Sequence, residues 1–174
     1  KYGDRLSSLF RSGLYLPQVL PAAVTGIVWG WLLAPEGAIN TLFKDVGLKG
    51  LQTDWLGNPS WALLTVGFIL IWVQIGYPIV MFMAGLQRID PQLYEAADID
   101  GATWLQRFRY ITVSLIRPEF YVVLVTTTIA ALKVFAQIFV LTKGGPGNAT
   151  LVPSYFSFSN FFDTLNVGYG SAIS

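Results

Sequence analysis

Three long stretches of the chain carry almost no charge, and they constrain its fold more than any other feature of the sequence. Charged residues are absent from Ser12–Pro35 and from Trp55–Gln87, and Lys133 is the single charge in Phe120–Thr142. A helix that crosses a membrane needs about 20 mostly apolar residues. We therefore predict three membrane spans. They lie near Gln18–Leu33, Leu63–Leu86 and Tyr121–Leu141.

The composition excludes most other classes of protein. Charged residues make up 12% of the 174 residues, which is about half of the roughly 25% that is typical of soluble domains. Cysteine and histidine are absent, so disulfides, Cys/His metal sites and catalysis by Cys or His are excluded. The formal net charge of +1 offers no basic surface for nucleic acid. We predict no catalytic residue and no metal site.

The two ends of the sequence predict that it is an interior piece of a longer membrane protein. The sequence starts at Lys1 without Met or a signal-peptide pattern, and a fourth span begins at about Gly168. We therefore expect an all-α, polytopic membrane helix bundle with three full spans and the start of another. Residues 1–174 are expected to form part of one transmembrane domain.

Basic residues predict how the spans are oriented. Seven of them lie before the first span or between the second and third: Lys1, Arg5, Arg11, Arg88, Arg107, Arg109 and Arg117. Three lie on the opposite side: Lys44, Lys49 and Lys143. Cytoplasmic loops carry the excess of Lys and Arg. The segment Arg88–Arg117 is therefore predicted to be cytoplasmic, and Glu36–Ser60 and Lys143–Val167 external.

Polar side chains form a stripe on each predicted span. Gln74 and Tyr77 share a face of the second span, and Thr126, Lys133 and Gln137 share a face of the third. A charge near the middle of a membrane costs about 3 kcal/mol on insertion scales, so Lys133 should face protein or water. Two interpretations stay open. The stripes line a solute pathway, or they pack helices together, with Lys133 held by a carboxylate or carbonyl of a partner subunit.

The segment Arg88–Arg117 contains regular helix-boundary signals. Asp90 followed by Pro91 predicts a helix start, and Gly101 predicts its end. Thr103 and Gln106 have the spacing of a capping box and predict the start of a second, amphipathic helix. This helix–turn–helix is either a hairpin without a partner or a docking element for a cytoplasmic protein.

The docking interpretation gains support from a specific resemblance. Glu95-Ala-Ala-x-x-x-Gly101, with Ile111 after nine intervening residues, resembles the signature loop of permease subunits of binding-protein-dependent ABC importers. That loop usually ends in I-x-L-P, whereas Val113-Ser114 stands at its end here. Other segments resemble the carbohydrate-importer branch, so that the resemblance covers nearly the whole chain. They include Trp29–Pro35, Ile99–Ala102 and Leu141–Gly147.

The resemblance implies a fold of the ABC importer type I permease kind and a set of ATPase-coupling residues. These are Glu95, Ala96, Ala97, Asp98 and Gly101. It also implies that the chain lies in a prokaryotic inner membrane and has three partners: a second permease subunit, an ABC ATPase dimer and an extracytoplasmic solute-binding protein. The solute would be a sugar or a related compound. ATP would be bound by the ATPase, so no cofactor is expected on this chain. The candidate solute pathway comprises Gln74, Tyr77, Thr126, Lys133 and Gln137.

Two other classes of protein remain possible on the residues alone. Polar stripes and broken helices also suit an ion-coupled secondary transporter or a channel, and the stripes of a membrane scaffold would serve packing only. Ion-coupled carriers usually hold acidic groups within the membrane. No Asp or Glu lies within a predicted span, which weighs against a carrier.

Overall fold

The computed structural model describes residues 13–173, and all regular elements in that range are helical, which confirms the predicted all-α class. Eleven α-helices follow the helical residues 13–19. They are α1 (Ala22–Leu32), α2 (Ala38–Asp45), α3 (Pro59–Gln74), α4 (Gly76–Gln87), α5 (Pro91–Ile99), α6 (Trp104–Arg107), α7 (Val113–Leu115), α8 (Arg117–Leu132), α9 (Ala136–Leu141), α10 (Pro153–Phe162) and α11 (Val167–Ile173). A 3-10 turn covers Lys49–Leu51, and a π-helical stretch covers Phe108–Thr112.

The chain divides into two compact units. Among the described residues, the first unit combines 13–18 with Gln74–Ile129, and the second combines Val19–Val73 with 130–173. Each unit therefore contains two separate pieces of chain.

The first predicted span is not one continuous helix. Helical residues 13–19 end before Pro21, which has the extended backbone angles φ −55° and ψ 135°. The ring of a proline disfavours the helical region for the preceding residue, which here is Leu20. The helix α1 then has 11 residues, a length of about 16 Å, which is too short to cross a membrane of about 30 Å. The region Gln18–Leu33 therefore combines the end of one helix with α1.

The second predicted span is interrupted at Ile75, between α3 and α4. Pro78 explains the break, because its ring clashes with the carbonyl of the residue four positions earlier and it has no N–H to donate to that carbonyl. That residue is Gln74, the last residue of α3. Taken as one broken span, α3 and α4 together are long and apolar enough to cross a membrane.

The third predicted span lies in the run Arg117–Leu141, which is the single candidate among residues 13–173 that meets the length and composition of a span without combining two helices bent by more than 40°. Only 17% of the most apolar 18-residue stretch of this run is buried within the chain. Its apolar surface is therefore not the core of a soluble domain. The α-helical pattern nevertheless lapses at Lys133, Val134 and Phe135, between α8 and α9.

The core of the second unit is formed by four buried side chains from three helices and the break before α9. They are Val66, Val134, Ile138 and Tyr155. The helix α1 packs against α9 at Gly26, where an added Cβ would lie 2.9 Å from Cγ1 of Val140. Small residues allow such close approach between membrane helices.

Buried polar side chains fix the two segments predicted to be external. Asn40, which is 4% exposed, donates to the carbonyl oxygens of Pro35 and Thr53 and accepts from the indole N–H of Trp55 at 3.0 Å. Thr150 is fully buried, and its hydroxyl donates to the carbonyl oxygen of Gly145 at 2.7 Å. Because buried polar groups are costly unless they are hydrogen-bonded, these contacts hold both segments in one conformation.

Candidate functional site

The predicted coupling residues lie at the exposed end of α5. The helix begins as predicted: the carboxylate of Asp90 accepts a hydrogen bond from the backbone N–H of Gln92 at 2.9 Å, and Pro91 occupies the first helical position. We call Glu95, Ala96, Ala97, Asp98 and Gly101 the coupling corner. Ala97 is half-buried, and the other four residues are exposed. A partner protein can therefore reach this corner without any rearrangement of the described residues.

Gly101 ends α5 in the predicted left-handed conformation, with φ +72°. The backbone N–H of Ala102 donates to the carbonyl of Ala97 at 2.9 Å, and that of Gly101 donates to the carbonyl of Asp98 at 3.1 Å. These two bonds form a Schellman motif. An added Cβ at Gly101 would contact nothing within 4 Å, so glycine is required here by backbone conformation and not by space.

The second helix of the segment starts as predicted but does not continue as a regular α-helix. Thr103 and Gln106 form the complete capping box. The rings of Trp104 and Phe108 stack with their centroids 5.5 Å apart. The π-helical stretch then begins at Phe108, so the regular α-helical face predicted for this amphipathic helix is wrong beyond that residue.

Four polar pairs connect the two limbs that run from this turn towards the spans. The carboxylate of Asp98 pairs with the guanidinium of Arg107. The hydroxyls of Tyr94 and Thr112 lie 2.8 Å apart. Arg88 Nη1 lies 3.1 Å from Glu119 Oε1, and Thr126 Oγ1 lies 3.3 Å from the hydroxyl of Tyr77. All eight residues belong to the first unit.

Close packing accompanies the pair that contains Glu119. A Cβ added to Gly85 would lie 2.9 Å from Cδ of Glu119, so α4 can approach the glutamate only through a glycine. The side chain of Glu119 is 12% exposed, whereas that of Arg88 is 80% exposed. Glu119 Oε2 is buried and has no hydrogen-bond partner among residues 13–173.

The predicted pathway residues are distributed over both units. Tyr77 and Thr126 are brought together in the first unit, where the hydroxyl of Thr126 also lies 2.7 Å from the carbonyl oxygen of Val122. A threonine hydroxyl has one proton, so it accepts from Tyr77 when it donates to Val122. Gln74 is half-buried at the end of α3.

Lys133 and Gln137 lie in the second unit. Lys133 is exposed in the break between α8 and α9, and it forms no ion pair within residues 13–173. Gln137 is half-buried in α9. Because the helix stops at Leu132, the prediction that Thr126, Lys133 and Gln137 share one helical face is wrong. Their assignment to a solute pathway stays a prediction.

Sequence reasoning missed the pair Tyr94–Thr112 and the π-helical stretch. A signal for the pair was available, because complementary side chains stand on both sides of the turn at Gly101, each pair enclosing the previous one. These pairs are Asp98 with Arg107, Tyr94 with Thr112, and Arg88 with Glu119. No comparable signal marks the π-helical stretch.

Comparison with known proteins gives consistent results. The family model described as "Binding-protein-dependent transport system inner membrane component" matches residues 1–173. The chain is 36% identical over 164 residues to the sulfoquinovosyl glycerol transport system permease protein SmoG of Agrobacterium fabrum, covering 94% of this chain and 53% of SmoG. It is 36% identical over 167 residues to the trehalose/maltose transport system permease protein MalF of Thermococcus litoralis, covering 95% of this chain and 56% of MalF.

A solved structure agrees with the fold. A bacterial alginate ABC transporter, crystallised with a periplasmic protein that holds an alginate pentasaccharide, contains a chain that matches with a TM-score of 0.85 at 25% identity. The match covers 99% of this chain and 60% of that chain. The present chain therefore spans little more than half the length of the relatives that it matches.

Proposed function

Because the chain belongs to the family of binding-protein-dependent transport system inner membrane components, we propose that it acts in an ATP-driven importer as a permease subunit. The solute is a sugar or a related compound, delivered by an extracytoplasmic binding protein and carried across a prokaryotic inner membrane. The observation that carries this proposal is the exposed coupling corner, with its capped helix start at Asp90 and its left-handed turn at Gly101.

The partners follow from the same proposal. A second permease subunit completes the pathway, and two copies of an ABC ATPase contact the coupling corners. The relatives named above are permease proteins for sulfoquinovosyl glycerol and for trehalose and maltose, which supports a carbohydrate as the solute. The solved relative was crystallised with its periplasmic protein and an alginate pentasaccharide, which supports a binding protein as the donor of the solute.

ATP hydrolysis belongs to the ATPase partner under this proposal. The sequence contains no Gly-Lys dipeptide and hence no G-x-x-x-x-G-K-[ST] phosphate loop. Within residues 13–173, no group of three or more His, Cys, Asp or Glu residues could hold a metal ion. The role of this chain is then to convert closure of the ATPase dimer into a change of access. Such coupling requires that affinity for the partner differ between the two states.

The five candidate pathway residues are proposed to contact the solute, and two of them lie at helix breaks. Non-helical backbone at membrane depth is tolerated only where it is buried in protein or lines a water-filled cavity. Gln74 lies at the break before α4, and Lys133 lies in the break before α9. Tyr77, Thr126 and Gln137 add side chains that can bind sugar hydroxyls.

Reconstitution of the full-length subunit tests the proposal. The subunit is expressed with its genomic neighbours that encode a second permease, an ATPase and a binding protein, and the complex is placed in proteoliposomes. We expect ATP hydrolysis that rises when the binding protein is loaded with its solute, together with uptake of that solute. Uptake that is driven by an ion gradient without ATP would indicate a secondary transporter. A complex with neither activity would indicate a scaffold.

A further inference from the structure

The four polar pairs of the first unit form an ordered series along one helical hairpin. The partners are separated by 9 residues in Asp98–Arg107, 18 in Tyr94–Thr112, 31 in Arg88–Glu119 and 49 in Tyr77–Thr126. Each pair encloses the previous one, so the two limbs run antiparallel from the turn at Gly101. The coupling corner and the pair Tyr77–Thr126 therefore lie at opposite ends of the same hairpin.

The π-helical stretch is what allows the two pairs nearest the turn to form together. Tyr94 and Asp98 are four residues apart on α5, so they lie on nearly the same face. Their partners Thr112 and Arg107 are five residues apart, and in an α-helix they would point about 140° away from each other. A π turn takes up one more residue than an α turn. The stretch Phe108–Thr112 thus turns Arg107 and Thr112 towards α5 together.

The pair Tyr94–Thr112 gives α5 a contact with the other limb that lies further from the turn than Asp98–Arg107 does. The turn at Gly101 joins the helices at one point, and Asp98–Arg107 lies close to that point. Asp98 is 57% exposed in this pair, and exposed ion pairs contribute little. A second fixed point, further from the turn, is needed to set the angle between two helices. The hydroxyl contact of Tyr94 and Thr112, 2.8 Å long and partly buried, is that second point.

We propose that Tyr94 and Thr112 are positioning residues, which hold α5 at a fixed angle to the π-helical limb so that a force on the coupling corner reaches α8. The π-helical stretch is part of the same device, because it supplies the register in which Thr112 meets Tyr94. This inference rests on the proposed function for its biological meaning, but the rigidity of the hairpin can be measured without transport.

The chain offers matched variants for the test. Tyr94→Phe and Thr112→Val each remove one hydroxyl and keep the shape of the side chain, whereas Thr112→Ser keeps the hydroxyl. The control is Tyr110→Phe, because Tyr110 lies in the same π-helical stretch, is 70% exposed and has no hydrogen-bond partner among residues 13–173. All variants are made in the full-length subunit and purified with its ATPase and permease partners.

The first measurement is the ratio of solute-stimulated to basal ATP hydrolysis. A single hydrogen bond of ordinary strength corresponds to about a fivefold change in an equilibrium. We expect the ratio to fall about fivefold in Tyr94→Phe and in Thr112→Val, with no further fall in the double variant. Thr112→Ser and Tyr110→Phe should retain the wild-type ratio. Single variants that match Tyr110→Phe, or losses that simply multiply in the double variant, would overturn the proposal.

The second measurement separates this proposal from the proposed function. Cysteines introduced at the exposed positions Gln92 and Ser114 carry spin labels, in a subunit from which any other cysteine has been removed. We expect pulsed dipolar spectroscopy to give a narrow distance distribution that broadens in Tyr94→Phe but not in Tyr110→Phe. An unchanged width in Tyr94→Phe refutes the positioning role. A wild-type complex without solute-stimulated hydrolysis refutes the proposed function instead, and the distance measurement then decides the positioning role by itself.

Discussion

Replacement of Gly101 by alanine should weaken coupling through the backbone alone. At φ +72° an added Cβ has no neighbour within 4 Å, so no packing clash contributes to the cost. The cost is that of a left-handed conformation for a residue with a Cβ, which is roughly 1–2 kcal/mol. That energy changes the population of the native turn by a factor of about 5–30. If the ATPase binds only the native turn, solute-stimulated hydrolysis should fall within the same range.

Gly47 provides a control with the same local geometry. It follows α2 at φ +82°, it also has open space around its Cβ position, and the backbone N–H of Leu48 donates to the carbonyl of Phe43 at 2.8 Å in the same kind of motif. Gly47→Ala therefore carries the same backbone cost in the segment predicted to be external. It should leave the ratio of stimulated to basal hydrolysis unchanged.

The assay compares ATP hydrolysis and complex yield for both alanine variants and for Gly101→Asn. Asparagine tolerates the left-handed region better than alanine does, so Gly101→Asn should lie between the wild type and Gly101→Ala. The reasoning is refuted if the two alanine variants lower the ratio equally, because the effect would then not be specific to the coupling corner. It is also refuted if Gly101→Ala couples like the wild type.

Three further predictions concern topology, the solute pathway and helix packing. Because the chain has no cysteine, single cysteines introduced at Asp98 and Asn148 can be tested for labelling from either side of the membrane. We expect the two cysteines to be labelled from opposite sides, and labelling of both from the same side contradicts the predicted orientation. Lys133→Met and Gln137→Leu should each lower solute uptake in assembled complexes. Loss of assembly in Lys133→Met would assign that lysine to a subunit contact. Full uptake in both variants would show that neither residue belongs to the pathway. Gly26→Ala places a Cβ 2.9 Å from Cγ1 of Val140 and should cost about 1–3 kcal/mol of stability, which lowers the midpoint of thermal unfolding. Adding Val140→Ala should restore the midpoint. The control Gly67→Ala should not lower it, because nothing lies within 4 Å of the Cβ position of Gly67.

Local signals allowed the ends of the helices in the coupling segment to be predicted. Capping depends on a few neighbouring residues, and Asp90, Thr103 and Gly101 all behave as their local sequence indicates. The coupling residues were assigned by resemblance to a family loop, and their coupling role stays a prediction.

Breaks within helices were predicted less well, for reasons that differ from one break to the next. The breaks near Pro21 and Pro78 carry a visible signal in the sequence, because proline interrupts a helix. The break at Lys133 contains neither Gly nor Pro. It coincides with tertiary contacts instead: Val134 is buried, and its carbonyl accepts a hydrogen bond from the hydroxyl of Ser154. The π-helical stretch likewise depends on partners across the hairpin, which apolar periodicity does not report.

The ordered series of polar pairs also has a consequence for folding. The entropic cost of closing a loop grows with the logarithm of its length, so closing 49 residues directly costs about 1.5 kcal/mol more than closing 9. If Asp98–Arg107 closes first, each later pair adds only the residues between it and the pair already formed. The hairpin can thus assemble from the turn at Gly101 outwards, in small steps of nearly constant cost. We expect the end of the hairpin at Gly101 to be structured before α4 and α8 have packed against each other.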